Sequence, residues 1–412
     1  MREPASFARP ITAGAMTGLV GFTSAFVVVL TGLTAVGADA GQASSGLLAV
    51  SVTMGLASIL LAVTTRLPIV VAWSTPGAAL LAATGTVEGG WPAAVGAFLV
   101  AGVLIVITGL MPQVGALIAR IPTSVAQAML AGVLFQLCLG PIVGLASDPW
   151  AVAPVVIVWL LALRLAPRWA SPLAFVTAAI VITIDIARAR ASVPASSLVP
   201  NVEFTTPAFT FAAIIGVALP LYLVTMASQN VPGVAIMRNF DFVVPWRRTM
   251  VVTGVGTMAG APAGGHAINL AAITAALAAG PEAGEERSRR WVASVTSGAV
   301  VIVLGIASAA FGTLVRLAPE GVIAAVAGLA LLGTFAASMK AALDVPGDQI
   351  PAAVTFVTAA SGVAILGVSA AFWALVAGVA VKLLLGFRRR PDISSVDEGA
   401  PGQHEPADES RR

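Results

Sequence analysis

The stretch PIVVAWSTPGAALLAATG, Pro68 to Gly85, decides how the rest of the chain is read. Its first part is β-branched and apolar, which suits extended backbone. From Pro76 it becomes an Ala- and Leu-rich run that suits a helix. Ser74 or Thr75 stands where an N-cap belongs, and Pro76 in the first turn loses nothing by lacking an N–H. A second stretch, GAPAGGHAINLAAITAALAAG from Gly260 to Gly280, follows the same grammar: a segment broken by Gly and Pro leads into a short apolar helix. Each unit is too short and too interrupted for an ordinary membrane-crossing helix.

Their surroundings are membrane-like. Over 412 residues the hydrophobic fraction is 58%, only 10% are charged and the mean hydropathy is +0.97; soluble domains carry about 25% charged residues. The net charge of +3 arises from single or short clusters of basic residues between apolar runs, which does not describe a nucleic-acid-binding surface. The lone cysteine, Cys138, lies in an apolar run and supports no disulfide framework. A bilayer core of ~30 Å needs about 20 apolar residues per helix. On that measure the chain reads as an all-α polytopic membrane protein of about fourteen spans: 11–36, 43–65, 68–84, 91–111, 121–145, 150–166 and 169–188, then 207–233, 246–261, 264–280, 291–315, 319–340, 348–366 and 368–387. With the N-terminus cytoplasmic, all but Arg188, Arg190 and Arg316 of the 22 lysines and arginines fall on the cytoplasmic side, as retention of positive charge requires. Trp91, Trp150, Trp169, Trp246 and Trp291 stand at span ends, where the headgroup region favours indole. The organisation expected is a cytoplasmic N-terminus (1–10), a first repeat of spans 1–7 (11–188), a periplasmic loop (189–206), a second repeat of spans 8–14 (207–387) and a disordered cytoplasmic tail (388–412) in a bacterial inner membrane.

The two halves align weakly. Arg120 through Gly132 matches Arg316 through Gly328, and Ser74 through Gly85 matches Asn269 through Gly280. Seven spans per half is odd, so the halves insert with opposite orientation. Inverted repeats that place broken spans 3 and 10 at the midplane mark secondary transporters, whose halves rock about a shared site. Two helix N-termini meeting there offer unpaired amides and positive dipole ends, which suit an anion such as a carboxylate.

Polar residues within spans are few, and these are the candidates for binding: Ser74, Thr75, Pro76 and Gly77 in span 3, Gln229 and Asn230 at the end of span 8, and Gly265, His266 and Asn269 in span 10. Amides such as Gln229 and Asn230 orient ligands or join packed helices, and the sequence leaves both readings open. His266 is the candidate for proton coupling, since imidazole titrates near neutral pH; a neutral structural role also stays open. Asp185 lies in span 7 one turn from Arg188, a spacing for a surface ion pair. No Asp or Glu stands at the centre of a span, so an anionic substrate would itself bring the charge that draws in a proton. Phe22, Phe26, Phe135 and Trp73 read as packing residues, with stacking on an aromatic ring the alternative use of such side chains. Small-residue patterns such as Gly96 to Gly102 read as close helix packing.

On these motifs, Ser74-Thr-Pro-Gly-Ala-Ala-Leu-Leu81 and Ile268-Asn-Leu-Ala-Ala-Ile-Thr-Ala-Ala276 above all, the chain resembles the benzoate:proton symporter family, whose fold is shared with uracil and xanthine permeases. The resemblance covers about Ile11 to Phe387. It implies a seven-plus-seven inverted repeat, a core of spans 1–4 and 8–11, a gate of spans 5–7 and 12–14, elevator-like movement and a homodimer. It further implies an aromatic carboxylate as substrate, protons as the coupled ion and no cofactor. Where the nucleobase permeases carry acidic residues this chain has Gln229, Asn230, His266 and Asn269, which disfavours a uracil-like substrate. Another anion carried on the same fold is the main alternative, although no cation stands near Ser74 or Asn269 in sequence. An intramembrane enzyme is disfavoured, because neither an HExxH motif nor paired acids are present.

Overall fold

The computed structural model describes residues 7–111, 113–115, 120–190, 193–272, 274–365 and 368–386; the tail read at 388–412 and the first six residues lie outside them. In the first half, α1 (Ala8–Thr23) and α2 (Phe26–Ala35) form one apolar run broken at Ser24 and Ala25. α3 (Ala40–Thr65) starts on a capping box, with Asp39 Oδ1 accepting from Gln42 N at 2.8 Å and Gln42 Oε1 accepting from Asp39 N at 3.0 Å. β1 (Val71–Trp73) leads into α4 (Thr75–Thr84), followed by α5 (Gly90–Leu110), α6 (Thr123–Cys138), α7 (Gly140–Ser147), α8 (Pro149–Leu165) and α9 (Ala170–Arg188). The second half begins with α10 (Phe211–Asn239), which contains two π-helical turns, Ile214–Ala218 and Met226–Asn230. There follow α11 (Trp246–Gly260), β2 (Ile268–Leu270), α12 (Ala275–Ala279), α13 (Trp291–Ile306), α14 (Ser308–Arg316), α15 (Val322–Leu343), α16 (Gln349–Ala360) and α17 (Ala370–Gly386).

Eight helical stretches among the described residues are long and apolar enough to cross a bilayer, which makes this a polytopic membrane protein built almost wholly of α-helix. The spans expected at 121–145 and 291–315 are each interrupted, at Leu139 and Ala307. Apolar side chains also cover the outside: Leu160 and Leu161 on α8, Ile180 on α9, Val303 on α13 and Leu384 on α17 are all exposed. Lipid chains are as apolar as those side chains, so helix association rests on close packing and on hydrogen bonds.

Close packing is achieved the same way at two crossings between the halves. α5 crosses α11 where Gly102 faces Gly254, and α3 crosses α13 where Gly55 faces Gly298. A Cβ at Gly55 or at Gly298 would stand 2.6 Å from the other's carbonyl oxygen, and one at Gly254 would stand 2.8 Å from Gly102 O. The element order recurs accordingly, with β1, α4 and α5 in the first half answered by β2, α12 and α13 in the second.

The segment before α10 runs extended across this bundle. Glu203 N donates to Ser45 Oγ, Thr205 N to Pro262 O and Ala208 N to Pro92 O, at 2.8 to 2.9 Å. Trp91 is buried and donates its indole N–H to Thr205 Oγ1 at 2.9 Å, which takes it out of the role of interfacial anchor, whereas Trp150 is 90% exposed. The ion pairs also depart from expectation. Among those of the described residues none joins Asp185 to Arg188, both of which are exposed on α9. Among the described residues the buried carboxylate is Asp348, which precedes α16; its Oδ2 accepts from Ser124 of α6 and Lys382 of α17, each at 2.6 Å.

Candidate functional site

Unwound backbone inside an apolar bundle must find partners for its N–H and C=O groups. β1 and β2 supply them to each other as an antiparallel pair, Val71 opposite Leu270, Ala72 opposite Asn269 and Trp73 opposite Ile268. The pairing continues outward through Ala271 N to Val70 O and Ser74 N to Ala267 O, both 2.9 Å. Side chains from neighbouring helices take the outer edges of this ribbon. Ser58 Oγ on α3 accepts from Val71 N at 2.8 Å, and Thr257 Oγ1 on α11 accepts from Ile268 N at 3.0 Å. Asn230 Oδ1 on α10 accepts from Leu270 N at 2.9 Å. The Asn269 amide, oriented so that both its ends are satisfied, donates to Leu270 O and accepts from Ser74 N.

α4 starts on a side-chain cap. Ser74 Oγ accepts from Gly77 N at 3.1 Å and from Thr225 Oγ1 of α10 at 2.8 Å. α12 has only five residues and no side-chain cap; its last turn is held by the buried Arg290, which donates to Ala279 O at 2.6 Å and to Gly284 O at 2.9 Å.

A cavity of about 520 Å³ opens beside the start of α4. Thr75 and Pro76 form one wall, Gln229 of α10 another, and Thr274 and Leu277 a third; Val20, Gly21 and Ser24 of α1 and the following turn, Leu331, Gly333 and Thr334 of α15, and Arg168 and Ser171 ahead of and within α9 close the rest. Among the described residues the lining is mainly apolar with a few hydroxyls, one amide and one guanidinium, the composition of a site for a small, mostly apolar ligand bearing one polar group. Trp73 borders it and packs on Phe22 at a ring separation of 5.2 Å; Phe22 stacks on Phe26, which meets Phe175 of α9 edge-on at 4.7 Å. At the other end of α4, Thr84 borders a second cavity of about 320 Å³ together with Val217 and Ser369. A broader groove of about 900 Å³, lined by Thr64, Arg247 and Arg248, does not touch the ribbon.

Of the residues singled out from sequence, Thr75, Pro76 and Gln229 line the 520 Å³ cavity. Ser74, Asn230 and Asn269 are fully buried and engaged with backbone, and Gly77 packs beneath Leu221 and Ser74. Gly265 N donates to Gly260 O at 2.9 Å. His266 is 1% exposed, packs edge-on against Phe98 at 6.5 Å, and offers neither ring nitrogen a partner of normal hydrogen-bond geometry among the described residues. Phe135 packs with Phe335 and Phe356, away from the cavity. Sequence reading missed Thr225, whose only signal is its hydroxyl within an apolar run, and Arg168, which it took solely as a marker of the cytoplasmic side.

Membrane-crossing helices wrapped around a paired strand–helix core, with a cavity at either end of one short helix, describe a membrane transport protein. The chain belongs to the benzoate membrane transport protein (BenE) family, whose model matches residues 5–384. It is 36% identical over 371 residues to the inner membrane protein YdcO of Escherichia coli, covering 89% of this chain and 93% of that protein. It is 30% identical over 337 residues to the benzoate membrane transport protein of Acinetobacter baylyi, covering 82% and 85%. Among solved structures, the transmembrane domain of a cyanobacterium bicarbonate transporter, BicA, superposes with a TM-score of 0.55 at 15% identity, covering 93% of this chain and 98% of that domain, which shows the shared fold. The chain is therefore a multi-pass secondary transporter of a bacterial inner membrane and not an enzyme.

Proposed function

We propose that this transporter imports an aromatic carboxylate of the benzoate type together with protons. The observation that carries the reading is the cavity beside α4: its apolar walls suit a ring, and the capped helix start at Thr75 and Pro76 suits a carboxylate. The name of the Acinetobacter relative supports the same substrate. In this reading the eight long helices, the shorter α8, α11, α16 and α17, and the two strand–helix units make fourteen crossings arranged as a 7+7 inverted repeat with both termini cytoplasmic. Spans 1–4 and 8–11 are the core and spans 5–7 and 12–14 the gate. The core slides against the gate so that the cavities at either end of α4 open in turn, within a homodimer. Thr75, Pro76 and Gln229 touch substrate, while Ser74, Gly77, Asn230, Gly265 and Asn269 hold the ribbon that presents them. Transport of a small inorganic anion is the second reading, favoured by the guanidinium of Arg168 in the lining.

Uptake of radiolabelled benzoate into proteoliposomes under an imposed inward proton gradient tests the proposal. Saturable uptake that collapses with the gradient, and that unlabelled benzoate but not uracil, sulfate or bicarbonate competes away, is the expected result. Competition by bicarbonate or sulfate at similar concentrations would transfer the assignment to the second reading. His266→Ala tests the proton carrier: gradient-driven uptake that stays at wild-type level removes the imidazole from coupling and leaves the proton with the substrate carboxylate.

A further inference from the structure

We infer that Arg168 takes the substrate carboxylate from the α4 seat at the cytoplasmic mouth of the 520 Å³ cavity and that Glu282 is the built-in competitor that makes this contact reversible; the inference rests on the aromatic-carboxylate reading above. Among the described residues lining the cavity, Arg168 is the single charged one. It stands in the turn Pro167–Trp169 between α8 and α9, and Glu282 stands in the turn Pro281–Ala283 that follows α12. The contact is one hydrogen bond, Nη2 to Oε1 at 2.9 Å, between side chains 62% and 44% exposed. An exposed pair of this kind is weak and exchangeable. One guanidinium edge holds Glu282, and the remaining donors of the fork suit a second carboxylate. Both residues also border a neighbouring cavity of about 170 Å³, so the pair sits where the larger space opens.

The arrangement answers a need that the ribbon leaves unmet. Dipole ends at α4 carry partial charge only and act over about a turn. A carboxylate moving between that seat and water gains from a full positive charge on the way. A permanently free arginine would also collect chloride and hold its cargo too long. Glu282 neutralises Arg168 when the cavity is empty and displaces the departing anion.

The test measures initial benzoate uptake against the concentration presented to the cytoplasmic face, in inside-out membrane vesicles carrying wild type, Arg168→Gln, Arg168→Lys and Glu282→Gln. Arg168→Gln is expected to raise KM about tenfold with the maximal rate within about twofold, and Arg168→Lys to recover part of that loss. Glu282→Gln is expected to lower KM about threefold and to make uptake more sensitive to chloride. A purely structural ion pair would be broken by either change, so KM shifting in the same direction in Arg168→Gln and Glu282→Gln overturns the inference, as does an unchanged KM in Arg168→Gln. Should Arg168→Gln fail to reach the bilayer, Glu282→Gln decides alone: a lowered KM supports the role, and a raised or unchanged KM overturns it. Absence of benzoate uptake by wild type overturns the substrate reading and this role together, which separates that failure from the others.

Discussion

The two strand–helix units are built on one plan and fastened at opposite ends. α4 runs for ten residues and is fixed at its start, where Ser74 caps it and Thr225 in turn holds Ser74. α12 runs for five residues, has no cap at its start, and is fixed at its finish by Arg290. Their strands, by contrast, are pinned alike, Ser58 serving β1 and Thr257 serving β2. The difference teaches that a repeat supplies the scaffold twice while a binding site needs only one well-ordered helix start. In the proposed reading that start is at α4, beside which the cavity lies.

Breaking the α12 end of this comparison should have the largest effect. Arg290→Met strips donors from two carbonyls at once, and hydrogen bonds to a charged group are worth about 1.5–3 kcal/mol each. A marked fall in melting temperature in detergent is expected, and a melting temperature within a degree of wild type would refute the clamp. Asn230→Leu leaves the buried Leu270 N–H unpaired at a cost of about 1–3 kcal/mol; melting and uptake should both suffer. Ser74→Ala removes the cap of α4, worth about 1 kcal/mol. Here the expected signature is a KM for benzoate that rises further than the small loss of stability explains, and an unchanged KM would deny that the α4 start is the seat. The smallest effect sharpens the symmetric part of the comparison. Ser58→Ala and Thr257→Ala should lower stability by similar amounts, within about 0.5 kcal/mol of each other, and a clear inequality in melting would show that the strands are not pinned equally.

Much of this was legible in the sequence, because local rules governed it. Extended β-branched residues followed by a Ser-Thr-Pro-Gly start read correctly as strand, cap and helix, and the Gly-Pro break before His266 read correctly as a second unwound segment. The neighbours Gln229 and Asn230 show where legibility ended. Gln229 borders the cavity while Asn230 serves β2, and both lie in a π-helical turn, Met226–Asn230, which no composition announces. Arg168 escaped notice for a different reason: its partner and its cavity are supplied by segments far along the chain, and charge alone marks only a side of the membrane. Asp185 and Arg188 had the right spacing for a pair, but both face outward, where water or headgroups compete for them.

The π-helical turns of α10 carry a consequence for the history and engineering of this chain. A wide turn holds one residue more than an α-helix needs, so it amounts to an insertion accommodated without breaking the helix. Deleting that extra residue would restore a regular ladder and leave the helix beyond it on nearly its present bearing, so that the change falls on the turn itself. The amides at 229 and 230 lie within the turn, so they would take new bearings, and Leu270 would lose its acceptor and the cavity the one carboxamide among its described lining residues. Relatives that lack the wide turn should therefore be sought among proteins whose cargo differs, with the length of this helix as the character to compare.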